Sequence, residues 1–245
     1  MWAYLSSTLA NIFLLLLVAM NFPVNLASAA KQFQNETDSL ALLELKKQIH
    51  DDPFGVLNSW IHSQHHCQWE GVTCGTRHER VIALTLRESH LILSLISTLC
   101  NATTLYYLDL SFNQFEGGNI LDNVLMNCQY LQYLDISHNN FTGFISPLVL
   151  QMHPSLTYLK FGENSFSRSL PPEVGKLIHL VEFNVSHNQL AGDVPISLAD
   201  LITLTGPIPK ELEKLHYLRY LNLSITTLRV RYRTLEFSAM QVKYH

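Results

Sequence analysis

With 245 residues, 47% apolar content and a formal net charge of −4, the chain has the material for one elongated folded domain and no charge imbalance that would point to a nucleic-acid partner. Basic residues gather near the end (Arg229, Arg231, Arg233 and Lys243 against Glu236), but a net +3 there fits solvated chain better than a phosphate site.

The chain opens on a targeting segment, residues 1–29. Ile12 to Met20 is an apolar core of signal-peptide length, followed by Pro23 and the small residues Ala27-Ser28-Ala29, so cleavage is expected after Ala29. The stretch before the core has no Lys or Arg, which leaves an uncleaved anchor as the alternative. No later segment approaches membrane-spanning length, so the mature chain is expected to be extracellular with no membrane span. Five glycosylation acceptors fit that route, at Asn35, Asn101, Asn140, Asn184 and Asn222. The bland alternative for the last two is that the repeat pattern described below generates them by accident.

Residues 30–80 read as a cap. Thr37-Asp38 can cap a helix whose apolar residues Leu40, Leu42, Leu43, Leu45 and Ile49 recur at roughly helical spacing, and Asp52-Pro53 would stop it. Such a helix can cover the open end of a repeat array. A bridge between Cys67 and Cys74 would close a short loop and stabilise the fold by about 2.5 kcal/mol in the chain-entropy model. His62, His65 and His66 stand just upstream, so a metal site is the rival reading, although the spacing matches no standard zinc pattern. Cys100 and Cys128 fall between repeats and read as buried thiols that pack as small hydrophobes.

Residues 81–228 carry the strongest signal. The run LYYLDLSFNQF beginning at Leu105 recurs as LQYLDISHNNF from Leu131, LTYLKFGENSF from Leu156 and LVEFNVSHNQL from Leu180, at separations of 26, 25 and 24 residues. The first, fourth, sixth and eleventh places of each copy stay apolar, and the ninth is Asn (Asn113, Asn139, Asn164, Asn188). Strand alternation explains the apolar places, and an amide with two donors and an acceptor can satisfy backbone groups where the chain turns inside the stack. Stacked copies would form an Asn ladder, each depending on its neighbours for burial. Val81 to Leu91 fits as a first copy with Ser89 at the Asn place, and Leu218 to Leu228 as a last copy with Thr226 there. Leu204 should open a copy 24 residues after Leu180, but Leu218 follows it after only 14, so that copy lacks its strand. About five intact copies are therefore expected, plus one strandless copy, with residues 229–245 as a non-repeat tail that leaves the array uncapped.

The consensus L-x-x-L-x-L-x-x-N-x-L is that of leucine-rich repeats, which implies an α/β solenoid of about 24-residue period with a helical, disulfide-bearing N-terminal cap. The run Thr37 to Lys46, Asp52-Pro53, Leu57-Asn58-Ser59-Trp60 and Cys67-x-Trp69-x-Gly71-Val72-Thr73-Cys74 resembles the N-terminal cap of plant leucine-rich repeat receptor-like Ser/Thr kinases. Leu190-Ala191-Gly192-Asp193-Val194-Pro195 and Thr205-Gly206-Pro207-Ile208-Pro209 are similar to the plant-type L-x-G-x-I-P element. The resemblance covers residues 1 to about 228 and is nearest to the subfamily with immune receptors for microbial patterns. It implies an extracellular portion only, because the membrane helix and kinase of that family have no counterpart here.

Enzyme chemistry finds no support in the residues. A kinase needs a Gly-rich loop, a strand Lys and Asp residues in H-R-D and D-F-G contexts, and none of these motifs occurs, nor does G-x-S-x-G. Asp109 and Asp135 occupy the same strand place in adjacent copies and read as solvated consensus residues rather than a catalytic pair. Binding is the better reading, with no cofactor and no metal. The places between inward leucines give three columns: Tyr107, Tyr133, Tyr158 and Glu182; Asp109, Asp135, Lys160 and Asn184; and Phe112, His138, Glu163 and His187. From these, Tyr107, Asp109, Tyr133, Asp135, His138, Tyr158, Lys160 and Glu182 are the candidate ligand contacts. Stacked tyrosines can serve as a peptide platform or can simply stabilise the sheet, and both readings stand. The expected partner is a peptide or protein, with a leucine-rich repeat kinase as co-receptor. Two alternatives remain: a secreted inhibitor of cell-wall-degrading enzymes, and a non-functional truncated receptor-kinase product.

Overall fold

The structure is a computed structural model that describes residues 26–93, 104–118, 128–195, 198, 218–224, 227–229 and 241–243. The chain divides into two compact units, Met1–Glu36 and Thr37–His245. Residues 1–25, which hold most of the expected signal segment, lie outside the described residues. So do Cys100, Asn101 and Leu201 to Pro209, and so does the side chain of Asn35.

The cap helix α1 spans Leu26–Gln48, starting well before Thr37-Asp38. Asp38 is therefore not an N-cap. It is fully buried, and its carboxylate accepts hydrogen bonds from Arg80 Nε (2.8 Å), Arg80 Nη2 (2.9 Å) and the Val81 N–H (2.8 Å). A charge without water must find this many donors, and here they tie the helix to the first repeat. Leu42, Leu43 and Leu45 face the core as expected, but Leu40 is 54% exposed. The helix ends at Gln48 rather than at Asp52, and β1 (Ile49–Asp51) follows directly. Asp52 instead accepts from the N–H groups of Val56 and Leu57, starting the 3-10 turn Val56–Ser59.

The rest of the cap is a packed loop around two tryptophans. Trp60 and Trp69 stack with ring centroids 5.5 Å apart, and their indole N–H groups donate to the carbonyls of Glu70 and Gln64. The Cys67–Cys74 disulfide is present, with a Cα–Cα distance of 5.5 Å. It precludes the metal reading, because Cys67 beside His65 and His66 has no thiolate to offer. Strand β2 (Val72–Cys74) then runs antiparallel to β3 (Val81–Thr85). Gly71 makes this approach possible: its φ is +76°, and a Cβ there would stand 2.3 Å from the Thr85 carbonyl oxygen.

Each repeat contributes two short strands. After β3 comes β4 (Ile92–Leu93). The next copies give β5 (Tyr107–Asp109) and β6 (Gln114–Gly118), then β7 (Tyr133–Asp135) and β8 (Asn140–Gly143), the latter followed by a helix α2 (Pro147–Met152). Then come β9 (Tyr158–Lys160) and β10 (Ser165–Arg168), β11 (Glu182–Asn184) and β12 (Gln189–Asp193), β13 (Tyr220–Asn222) and β14 (Thr227–Arg229), and finally β15 (Gln241–Lys243). The first strands of the copies form the main sheet, in the order β15-β13-β11-β9-β7-β5-β3-β2, and the second strands form a lateral sheet, β1-β4-β6-β8-β10-β12-β14. Among the described residues repeat-to-repeat pairing is parallel, and the antiparallel strands are the outermost ones, β1, β2 and β15.

The core is the Leu/Asn register made solid. Leu105, Leu108, Leu110 and Phe115 are all at most 1% exposed, as are their equivalents Leu156, Leu159, Phe161 and Phe166. Each Asn ties two copies together. Asn139 donates through Nδ2 to the carbonyls of Leu110, Ile136 and Ser137, and its Oδ1 accepts from the Phe115 N–H; Asn113, Asn164 and Asn188 repeat the pattern. The residue before each Asn is left-handed (Phe112 φ +57°, His138 +54°, Glu163 +56°, His187 +52°), which turns the chain so that the amide points inward. The hydrogen bonds offset that local strain, about 1 kcal/mol or more per residue.

Two expectations change, and the short step after Leu204 is accommodated in the sheet. Cys128 is buried but disulfide-bonded rather than a free thiol, with its partner outside the described residues. The strandless copy leaves no vacancy in the main sheet, since β11 pairs directly with β13 (Glu182↔Tyr220, Phe183↔Leu221, Asn184↔Asn222). One long step of 38 residues, from Leu180 to Leu218, replaces two ordinary ones. Finally, the array does not end on a bare strand, because β15 from the tail closes the edge at β13.

Candidate ligand-binding surface

Strand register places the predicted columns side by side. The first runs Ala83, Tyr107, Tyr133, Tyr158, Glu182 and Tyr220, which adds Tyr220 to the expected set. Tyr107 and Tyr133 stack face to face at 4.1 Å and 11°, while Tyr158 is tilted by 42° at 5.5 Å from Tyr133 and is 36% exposed. The first two rings therefore cover each other and present edges and hydroxyls, and Tyr158 keeps more open surface. Lys160 places its ammonium 5.5 Å from the Tyr133 centroid and 3.2 Å from Glu182 Oε2. Burial, reinforced by Asp135, holds the Tyr133 phenol well above its ordinary pKa, so it stays a neutral donor at any physiological pH.

The second column differs from expectation. Asp109 and Asp135 are 3% and 5% exposed, not solvated. Oδ1 of each accepts from the N–H (3.0 Å) and hydroxyl (2.6 Å) of the serine two residues on, Ser111 and Ser137. A short carboxylate at a strand end can reach these donors, and doing so draws it out of water. Asn184 makes the same clamp to Ser186 (3.0 and 2.7 Å), and Asn222 accepts from the Ser224 N–H (3.1 Å). These positions brace the face that the first column presents.

The third column is also a ladder. Phe112 stacks on His138 at 3.9 Å, the Arg87 guanidinium lies 4.7 Å above Phe112, and His187 Nε2 stands 3.4 Å from Glu163 Oε1. Arg87 is not among the expected residues; its place, the seventh of the copy, carries Ser or Gly in the five other copies (Ser111, Ser137, Gly162, Ser186 and Ser224). A groove of about 590 Å³ runs beside this column, lined by His138, Glu163, Asn140 and Glu116 among others. On the opposite flank a second groove, about 510 Å³, is lined by Tyr106, Tyr130 and Gln132, with Tyr106 42% and Tyr130 63% exposed. Tyr130 stands just before the first place of its copy and Tyr106 at the second place of its own, outside the columns at the third, fifth and eighth places.

Two sheets stacked by an Asn ladder, a helical cap with a disulfide loop, and a row of half-exposed tyrosines across parallel strands define a leucine-rich-repeat module of the plant type. Comparison with known proteins agrees. Residues 35–75 match the leucine rich repeat N-terminal domain and residues 130–152 the Leucine Rich Repeat. The chain is 44% identical over 88 residues to the LRR receptor-like serine/threonine-protein kinase EFR of Arabidopsis thaliana, a match covering 36% of this chain and 8% of that protein. A chain of the BIR3–SERK2 complex from Arabidopsis thaliana superposes with a TM-score of 0.61 at 30% identity, covering 66% of this chain and 87% of that one. The ectodomain of the Arabidopsis receptor kinase HAESA, solved in complex with an IDA peptide hormone, superposes with a TM-score of 0.64 at 26% identity over 80% of this chain and 38% of that one. The chain belongs to the plant leucine-rich repeat receptor-like family, and its match spans less than a tenth of the length of EFR and of two further curated Arabidopsis thaliana receptor-like kinases. Among the described residues no helix is long and apolar enough to cross a membrane.

Proposed function

We infer that the chain is an extracellular, non-enzymatic binding module that recognises a peptide or protein along its first column and acts beside a leucine-rich repeat co-receptor. The observation that carries this reading is the Tyr158–Lys160–Glu182 group at the exposed end of the tyrosine stack. It joins an accessible aromatic ring to a cation and an anion 3.2 Å apart, so it offers both apolar contact and charge pairing to an extended backbone. The peptide hormone held by the HAESA ectodomain supports a peptide as the ligand class.

The test uses a phage-displayed peptide library panned against the purified chain. A selected peptide should bind Tyr158→Ala at least about tenfold more weakly, the scale of an interface hot spot, with the melting temperature held within about 2 °C. Unchanged affinity, or affinity lost only together with thermal stability, overturns the reading. Tyr133 is the poorer probe, because its ring is packed against Tyr107 and its removal perturbs the sheet as well.

A further inference from the structure

We propose that Asn140 carries an N-linked oligosaccharide in the folded protein and that the sequons at Asn184 and Asn222 remain bare, because the latter two are strand-end clamps in sequon form. The proposal rests on the extracellular reading above, since the chain must meet the glycosylation machinery.

The three sites share the N-x-S/T pattern but not its surroundings. Asn140 and Thr142 lie on β8 either side of Phe141, which is fully buried, so both neighbours point to the opposite face, and both are exposed. No described side chain claims the Asn140 amide. At Asn184 the Ser186 hydroxyl donates to Oδ1 of the same asparagine, and the amide packs against the preceding copy at Gly162, where an added Cβ would lie 3.1 Å from Nδ2. Asn222 is 5% exposed, and its Nδ2 already donates to the Tyr220 hydroxyl at 3.3 Å. The geometry at Asn184 matches that of Asp109 with Ser111 and Asp135 with Ser137 to within 0.1 Å. Asn thus stands where two other copies use Asp, and Ser follows because the clamp needs its donors. The sequon there is a by-product of the letters, not a use of the residue.

The chemistry sharpens the distinction. Transfer from a lipid-linked diphosphate oligosaccharide forms a bond from the sugar C1 to Asn Nδ2, breaks the bond from C1 to the diphosphate oxygen, releases the lipid diphosphate and removes one proton from the amide. At Asn140 the new substituent projects into solvent. At Asn184 it would stand between Lys160 and Asn222 on strands about 4.8 Å apart, and at Asn222 it would enter the clamp itself, so a chain modified there could not close its repeat. The Asn140 sugar borders the groove beside His138 and leaves the tyrosine column and the Tyr106–Tyr130 flank uncovered.

The experiment expresses the full chain in plant cells, once with its native leader and once with residues 1–29 replaced by the leader of a known secreted protein. Secreted material is then digested with peptide N-glycosidase in ¹⁸O-water and each sequon peptide is read by mass spectrometry. The expected result is the ¹⁸O label at Asn140 in most molecules and in fewer than about one in ten at Asn184 and Asn222. Asn184→Asp with Asn222→Asp should leave secreted yield and glycan mass unchanged, while Ser186→Ala should lower the melting temperature without removing any sugar. Label at Asn184 or Asn222 equal to that at Asn140, or a bare Asn140 in secreted protein, overturns the proposal. If only the substituted leader delivers secreted, Asn140-labelled chain, the proposal stands and the export reading of the native leader fails.

Discussion

Both edges of the main sheet are closed by an antiparallel strand, β2 on β3 at one end and β15 on β13 at the other, but the two closures are built differently. At the N-terminal edge the strand is part of a small folded unit: a disulfide, a tryptophan pair, a carboxylate saturated by Arg80 and Val81, and a second strand, β1, that closes the lateral sheet as well. At the C-terminal edge a three-residue strand closes the main sheet, and β14 is the last strand of the lateral one among the described residues. A solenoid end presents two sheet edges and one apolar cross-section, so a cap that answers all three should hold more of the stability than one that answers a single edge.

The largest effect is expected from Asp38→Ala. Removing the fully buried carboxylate takes away the acceptor of three hydrogen bonds, from Arg80 Nε, Arg80 Nη2 and the Val81 N–H, a loss of about 3–5 kcal/mol that denaturant titration would measure. A loss under 1 kcal/mol would mean that the cap is held by packing and that its charge pair is dispensable. Opening the cap loop with Cys67→Ser and Cys74→Ser should cost about 2.5 kcal/mol by the chain-entropy estimate, read as a lower denaturant midpoint.

A smaller effect should depend on pH. Burial holds the His66 imidazole below its ordinary value of 6.5, outweighing the pull of the Glu79 carbonyl 3.1 Å from Nε2. Its folded state binds protons less readily than its unfolded state, so its contribution is fully present above pH 6.5 and declines as the pH falls below it. His66→Gln should flatten the part of the stability curve between about pH 6.5 and 5. If the variant and the parent have the same slope there, His66 is not the group responsible. Least of all should follow from deleting Gln241–His245, about 1 kcal/mol or less, since one short antiparallel pairing is lost. If that deletion cost as much as the disulfide, the two edges would be equivalent and the contrast between them would collapse.

Much of this was legible in the residues. The inward leucines, the Asn ladder and the Cys67–Cys74 bridge are each announced by residue types whose chemistry leaves few options at that spacing. The lateral sheet was not, because stretches such as Gln114–Gly118 are too short and too mixed to display an alternation. Asp38 misled for a different reason. Thr-Asp before an apolar run has the composition of a helix cap, and only the arrival of Arg80 from 42 residues away reveals the ion pair. Asp109 and Asp135 were assigned to the correct column but to the wrong environment, since a polar letter on an outward place does not disclose that a serine two residues later has drawn it inside. The tyrosine column was read correctly as a row, while the mutual covering of Tyr107 and Tyr133 depends on ring angles that no spacing encodes.

The direct pairing of β11 with β13 has a consequence for how such a chain can change. Val185 and His187 donate to the carbonyls of Asn222 and Ser224 at 3.0 and 2.9 Å, as Phe161 and Glu163 donate to Asn184 and Ser186 at 2.7 and 2.9 Å in the ordinary step. The phase of the array is thus set by edge complementarity and not by contour length. Length changes between Asp193 and Leu218 that keep this pairing would leave every downstream strand in step, so that new sequence can be spliced there, by the lineage or by a designer, without re-indexing the scaffold.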